Sequence, residues 1–263
     1  MNVILSIAKT TVGEAIRRRV LLIILLIGVL FLAVAPGLSV LSLRQDFSVL
    51  ASFTLGVIKL TSAIIAIVLT VYLIPNEIER RTIYTILSKP VLRWQFVIGK
   101  YLGAVAALGL MMALMTVTLV AVFAIMGKGA SMDVILNLTR APVMFFIQMS
   151  LLAAVAVFFS TFVPPITNFF LSGGVFMIGT IFSPVFDSIA QNEKTSQFVK
   201  LGAGVIHAVV PNFGMFNIEN SVINQGQQIQ NPTFFMLKML LYALLYICAC
   251  LFLGVIIFDR KEV

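Results

Sequence analysis

Six long apolar runs constrain this chain more tightly than any other feature. They are Val20 to about Leu41, Leu50–Ile74, Tyr101–Met126, Val143–Val163, Ile166–Phe186 and Phe234–Phe258. A helix rises about 1.5 Å per residue, so about 20 apolar residues cross the roughly 30 Å of bilayer hydrocarbon. The runs are continuous rather than spaced along one helical face. Only 11% of the 263 residues are charged, against about 25% in soluble domains, so a water-soluble fold would lack the polar surface to cover itself. The pattern predicts an all-α membrane protein of six transmembrane helices, a single domain over residues 1–263. Pro164-Pro165 forces a tight turn between the fourth and fifth runs, since neither proline donates a backbone bond and the second restricts the first.

The net charge of +8 does not point to nucleic acid, because the basic residues cluster at the ends of apolar runs and not along one exposed face. With the N-terminus inside, cytoplasmic segments hold 11 of the 18 Lys and Arg residues and the opposite side holds 7. Both termini are therefore expected in the cytoplasm. Arg17–Arg19, the run after them and Ala33-Val34-Ala35 imitate a secretory signal. The leading segment is long and polar, however, which favours an unprocessed anchor.

Residues 1–19 form an amphipathic pattern. Ile4, Ile7, Ala8, Thr11 and Ala15 share one helical face, and Lys9, Glu14, Arg17 and Arg18 avoid it. Such a helix is expected to lie in the headgroup plane. The longest external connection, 187–233, contains an apolar stretch at 198–210 that is too short to span and is expected to be re-entrant or interfacial. It holds the only histidine, His207, for which a structural role is expected. Cys248 and Cys250 stand two apart on one run, about 200° apart around a helix, so they cannot pair with each other. Neither a metal site nor a cofactor is indicated.

The runs carry almost no ionisable chemistry. Besides Lys238 at the start of the sixth run, Lys59 is the exception; placed near the outer end of the second run, it is expected to snorkel to the interface. Ion-coupled carriers need acids or histidines at membrane depth, and the runs have none to offer. There is no HExxH, no GxSxG and no GxxxxGK[ST] phosphate loop. The chain is therefore not expected to be an enzyme, and energy for uphill movement would have to come from another subunit. Gly99, Gly103 and Ala107 recur every four residues along the third run, a smooth stripe suited to helix packing or a dimer interface.

The segment 76–100, between the second and third runs, is the most distinctive. Glu77 and Glu79 precede Arg80 and Arg81, which places acids near a helix N-terminus. Ile78, Ile83, Ile86 and Leu87 give it an apolar face, and Pro90 stops it. Trp94, the sole tryptophan, fits the headgroup level. Acids, bases and an apolar face together read as a rigid docking element.

This stretch resembles the signature of ABC type-2 transporter permeases. In that family an acidic residue, a Gly-Thr or equivalent pair, a Leu-Leu-Ser-Pro-like run, an Arg and a Gly-Lys follow the second span in this order. The matching positions are Glu79, Thr82, Leu87, Ser88, Pro90, Arg93, Gly99 and Lys100. Arg81 stands where glycine is usual, as in a subgroup with an Arg-Arg-Thr version. The 210–217 stretch Val-Pro-Asn-Phe-Gly-Met-Phe-Asn is also similar to one found before the family's last span. The resemblance implies the membrane subunit of an ATP-driven exporter in a prokaryotic cytoplasmic membrane. A second permease subunit, identical or related, two copies of an ATP-binding cassette ATPase and, in some systems, an external accessory protein are the implied partners. Segment 76–100 would be a cytoplasmic coupling helix docking the ATPase through Glu77, Glu79, Arg81, Thr82, Ile83, Leu87, Pro90 and Arg93. The alternative it leaves open is a module that passes an ATPase cycle mechanically to an envelope partner.

Overall fold

The computed structural model describes residues 3–39, 46–79, 92–126, 132–182, 202, 204, 210–218 and 231–260. Eight α-helices are formed by these residues: α1 (Val3–Arg17), α2 (Arg19–Ser39), α3 (Asp46–Val71), α4 (Pro75–Glu79), α5 (Arg93–Met126), α6 (Met132–Ser160), α7 (Pro165–Met177) and α8 (Pro232–Asp259). A π turn, Ile178–Phe182, prolongs α7, and a 3₁₀ helix, Phe213–Phe216, lies between α7 and α8 in the chain. No strand occurs among the described residues.

Among the described residues, five helices are long and apolar enough to cross a membrane: Arg19–Gly37, Phe47–Glu77, Arg93–Ile125, Asn137–Ser160 and Pro232–Asp259. The fifth of the six expected runs forms a shorter apolar helix, Pro165–Ile181. The remainder of that run, 183–186, lies outside the described residues.

The local chemistry explains the boundaries. α6 stops at Ser160, Pro164 is extended (φ −59°, ψ 152°), and Pro165 opens α7, where a missing N–H costs nothing. Pro75 opens α4 in the same way after the turn at Tyr72–Ile74. At the start of α5 the Leu92 N–H donates to Gln95 Oε1 (3.2 Å), half of a capping box. Several hydroxyl side chains within the bundle close on their own helices. Thr54 donates to the Leu50 carbonyl and Thr70 to that of Ala66, at 2.8 and 2.6 Å, so neither hydroxyl is stranded in apolar surroundings.

α6 is the central helix: 72% of its apolar stretch is buried, against 11% for α8 and 22% for α2, which present most of their surface outward. Phe145, Leu152 and Ala154 on α6 are fully buried, while Leu26, Phe31, Leu245 and Phe252 on the peripheral helices are more than half exposed. An apolar helix with an outward apolar face is stable only where lipid or another apolar surface meets it.

The amphipathic N-terminal helix is present, but its apolar face is applied to the protein. Thr11 and Ala15 are buried, and α1 lies along the first turns of α5. The Gly99–Gly103 stripe is what admits it. A Cβ on Gly99 would stand 2.9 Å from Ile7 Cβ, and one on Gly103 would stand 2.7 Å from the Ala8 carbonyl oxygen. Ala107, the third member, is fully buried. α1 of the same chain therefore occupies the stripe, and a second copy could reach Gly99 and Gly103 only by displacing it.

Lys59 also lies deeper than the sequence implied. α3 begins at Asp46, not near Leu50, which leaves Lys59 well inside the helix. Gly28 stands at the middle of α2, and a Cβ there would come 2.7 Å from Thr61 Cγ2, which puts Thr61 and nearby Lys59 close to mid-depth. The ammonium sits 5.6 Å from the ring centroid of Phe145, where the π face is a favourable neighbour for a cation. Lys59 thus stands near the middle of α3 rather than near its outer end.

Candidate functional site

Three helical elements meet at one end of the bundle around a single lysine. Lys100, near the start of α5, has a side chain only 5% exposed. Its Nζ donates to Glu77 Oε1 of α4 at 2.5 Å and to Glu14 Oε2 of α1 at 3.4 Å. The Phe96 ring, one turn back on α5, lies 5.9 Å from the ammonium. A buried cation needs paired charge and hydrogen bonds, and both are supplied here. Glu77 is 14% exposed and lies in the first turn of α4, where a carboxylate also suits the helix dipole.

Arg93 binds the other edge of the same end. Its Nη1 donates to the carbonyls of Phe258 and Asp259 at 3.1 and 3.0 Å, and the guanidinium stands 6.0 Å from the Phe258 ring centroid. The last carbonyls of a helix have no partner within it, so a cation there satisfies them and complements the dipole. Arg93 thus ties the start of α5 to the end of α8. Its pairing with an aspartate carboxylate, Asp259 Oδ1 at 3.9 Å, is looser and largely exposed.

Of the residues expected to dock a partner, Glu77 and Arg93 are therefore anchored to the bundle at the two ends of one segment. Arg81, Thr82, Ile83, Leu87 and Pro90 lie outside the described residues, and Glu79 closes α4 by its backbone. Lys100 entered the sequence reading only as part of a Gly-Lys pair. Its partners stand 23 and 86 residues away, and the one available signal was a lysine immediately before the third apolar run, beside a small-residue stripe.

A second constellation lies deeper. The described part of the stretch at 198–210 is Gly202, Gly204 and Val210, and His207 lies outside it. The chain that follows is inserted among the helices. Phe213 and Phe216 are fully buried, Asn212 is 4% exposed, and the Asn212 side chain accepts from Met215 N–H to cap the 3₁₀ helix. Gln148, near the middle of α6, donates through Nε2 to the Phe213 carbonyl (3.2 Å), and the Asn212 N–H donates to Tyr242 Oη on α8 (3.1 Å). Phe213 packs on Phe176 and Phe216 on Tyr242, with centroids 5.8 and 6.1 Å apart. Irregular backbone is tolerated at membrane depth only when buried in protein with its polar groups satisfied, and these contacts do that. Gln148 Oε1 and Thr180 Oγ1 are buried without a hydrogen-bond partner. Cys248 is exposed and Cys250 half-buried, and both are free thiols.

Five membrane-length helices, one of them central, and an ion-paired junction where both outer edges of a polar segment are tied down, define a multi-pass membrane component. A family model for ABC-2 family transporter proteins matches residues 5–263. The chain belongs to the ABC-2 transporter family. It is accordingly a permease of an ABC transporter, a transport component rather than a catalyst, in a family that works with an ATP-binding subunit. Among curated proteins, none matches it.

Proposed function

We propose that this chain forms, with a second copy or a related subunit, the translocation pathway of an ATP-driven exporter in a prokaryotic cytoplasmic membrane. Two ATP-binding subunits dock on segment 76–93 from the cytoplasm. The sixth crossing is made by Pro165–Ile181 together with the residues after it, so that both termini face the cytoplasm. One observation carries this reading. α1, α4, the start of α5 and the end of α8 converge through Lys100 and Arg93 on one end of the bundle, and the polar segment with the family signature leaves from that end. A lever tied at both ends transmits displacement, and only contacts that differ between two states can shift their balance.

Glu77 and Arg93 serve in this scheme as the fixed ends. Glu79 and Arg81 carry the charge that pairs across the ATPase interface, with Thr82, Ile83, Leu87 and Pro90 filling the groove. Truncating one partner of a desolvated pair costs roughly 2–5 kcal/mol. Arg81→Glu is accordingly expected to abolish co-purification of the ATPase subunit and its stimulation by the permease, and Glu79→Ala to weaken both at least tenfold. Wild-type co-purification and stimulation in both variants would sink the assignment. A stable complex with an external protein, with no substrate flux in reconstituted vesicles, would instead favour mechanical signalling.

A further inference from the structure

We infer that Lys100 is a positioning residue, the joint through which displacement of the docking segment is passed to α5 and α1 together. The inference rests on the docking role proposed for segment 76–93. Its basis is the placement of the one nearly buried ammonium described at this end, which contacts two other helices at once.

The two ion pairs are unequal. Glu77 is mostly buried and 2.5 Å from Nζ, whereas Glu14 is 51% exposed and 3.4 Å away. Water screens the second pair far more than the first. The stiff connection therefore runs from Glu77 to Lys100. Glu77 belongs to α4, a helix of 5 residues that leads straight into the docking segment. Without the lysine, movement of that segment would pull on α3 through the turn at Tyr72–Ile74. With it, the same movement acts on the first turns of α5.

α1 follows α5 for a different reason. Ile7, Ala8 and Thr11 lie in the grooves over Gly99 and Gly103 so closely that an added Cβ would collide, and such interlocked backbones move as one body. Glu14 supplements this grip. Unequal consequences follow for three conservative changes: Lys100→Met and Glu77→Gln should disconnect the lever, and Glu14→Gln should leave it nearly intact.

The test is hydrogen exchange on the full permease–ATPase complex in lipid nanodiscs, with and without ATP and vanadate. In the wild type, ATP and vanadate should alter exchange in 76–93, in α1 and in the first turns of α5. Lys100→Met and Glu77→Gln should keep the change in 76–93 and reduce that in α1 by about fivefold, the lower end of typical coupling between sites. Lys100→Arg, which keeps the charge, should restore it, and Glu14→Gln should stay within about twofold of wild type. A wild-type response of α1 in Glu77→Gln overturns the joint, and that variant decides even where Lys100→Met does not assemble. A wild-type complex that shows no response in 76–93 overturns the docking reading itself, and the joint with it.

Discussion

Gly103→Ala is expected to lift α1 away from α5 and to destabilise the protein by about 3 kcal/mol, the upper end of ordinary overpacking. The new Cβ would lie 2.6 Å from Thr11 Cβ, 2.7 Å from the Ala8 carbonyl oxygen and 3.0 Å from Ala8 Cα. Two of these atoms are backbone, so no side-chain rotation relieves the clash; a helix has to move. Displacement would uncover Thr11 and Ala15 and draw Glu14 from Lys100. Thermal unfolding followed by Trp94 fluorescence should show an earlier transition, and trypsin should cut faster at Lys9 and Arg17. Gly56→Ala is the control, because nothing lies within 4 Å of its Cβ position. It should be neutral or gain up to about 1 kcal/mol from helix propensity. Equal melting of the two variants would refute the packing argument.

The same helix pair shows how far the sequence could be read. Long apolar runs reveal membrane helices because hydrocarbon thickness fixes their length, and five of them emerge, though the third begins at Arg93 and the fourth at Asn137, ahead of their apolar runs. The small-residue stripe was equally visible, as was the apolar face of α1. Their pairing was not. A glycine stripe states only that a backbone comes near; whether from the same chain or another is decided in three dimensions. Thr11 also hides its polarity by donating to the Ile7 carbonyl at 2.8 Å, which a residue-by-residue scale does not register.

The ion pairs were obscured for a related reason. Positive charge near span ends reads as orientation, and Lys100 and Arg93 were both consistent with that. Their actual partners are glutamates 23 and 86 positions away and helix-terminal carbonyls 165 and 166 positions away. A carbonyl leaves no mark in a sequence, so an arginine that caps a distant helix looks like one awaiting a partner. The place of Lys59 along its helix was less legible because the helix begins at Asp46, whose charge lies outside the apolar run. The buried stretch around Phe213 was obscured by Pro211-Asn212, which signals a turn whether it lies in water or among helices.

Gly179→Ala should have the second largest effect, and it bears on that buried stretch. A Cβ at this position would come 2.5 Å from the Pro211 carbonyl oxygen and 2.5 Å from Phe213 Cδ2. The phenylalanine has little room to yield. Its carbonyl is held by Gln148, the neighbouring Asn212 N–H by Tyr242, and its ring by Phe176. The segment must therefore withdraw from the helices, or the π turn that begins at Ile178 must rewind, and either breaks buried hydrogen bonds. A cost of about 3 kcal/mol corresponds to roughly a hundredfold rise in local opening. Exchange of the Asn212 and Met215 amide protons should accelerate by that factor, while Gly174→Ala, with nothing within 4 Å, should leave it unchanged. Unaltered protection in Gly179→Ala would mean that the segment is held by something other than this close approach. π turns widen a helix by one residue and leave its hydrogen bonding irregular. Placing a glycine on such a turn lets one irregular backbone rest against another at membrane depth, where each would be intolerable alone.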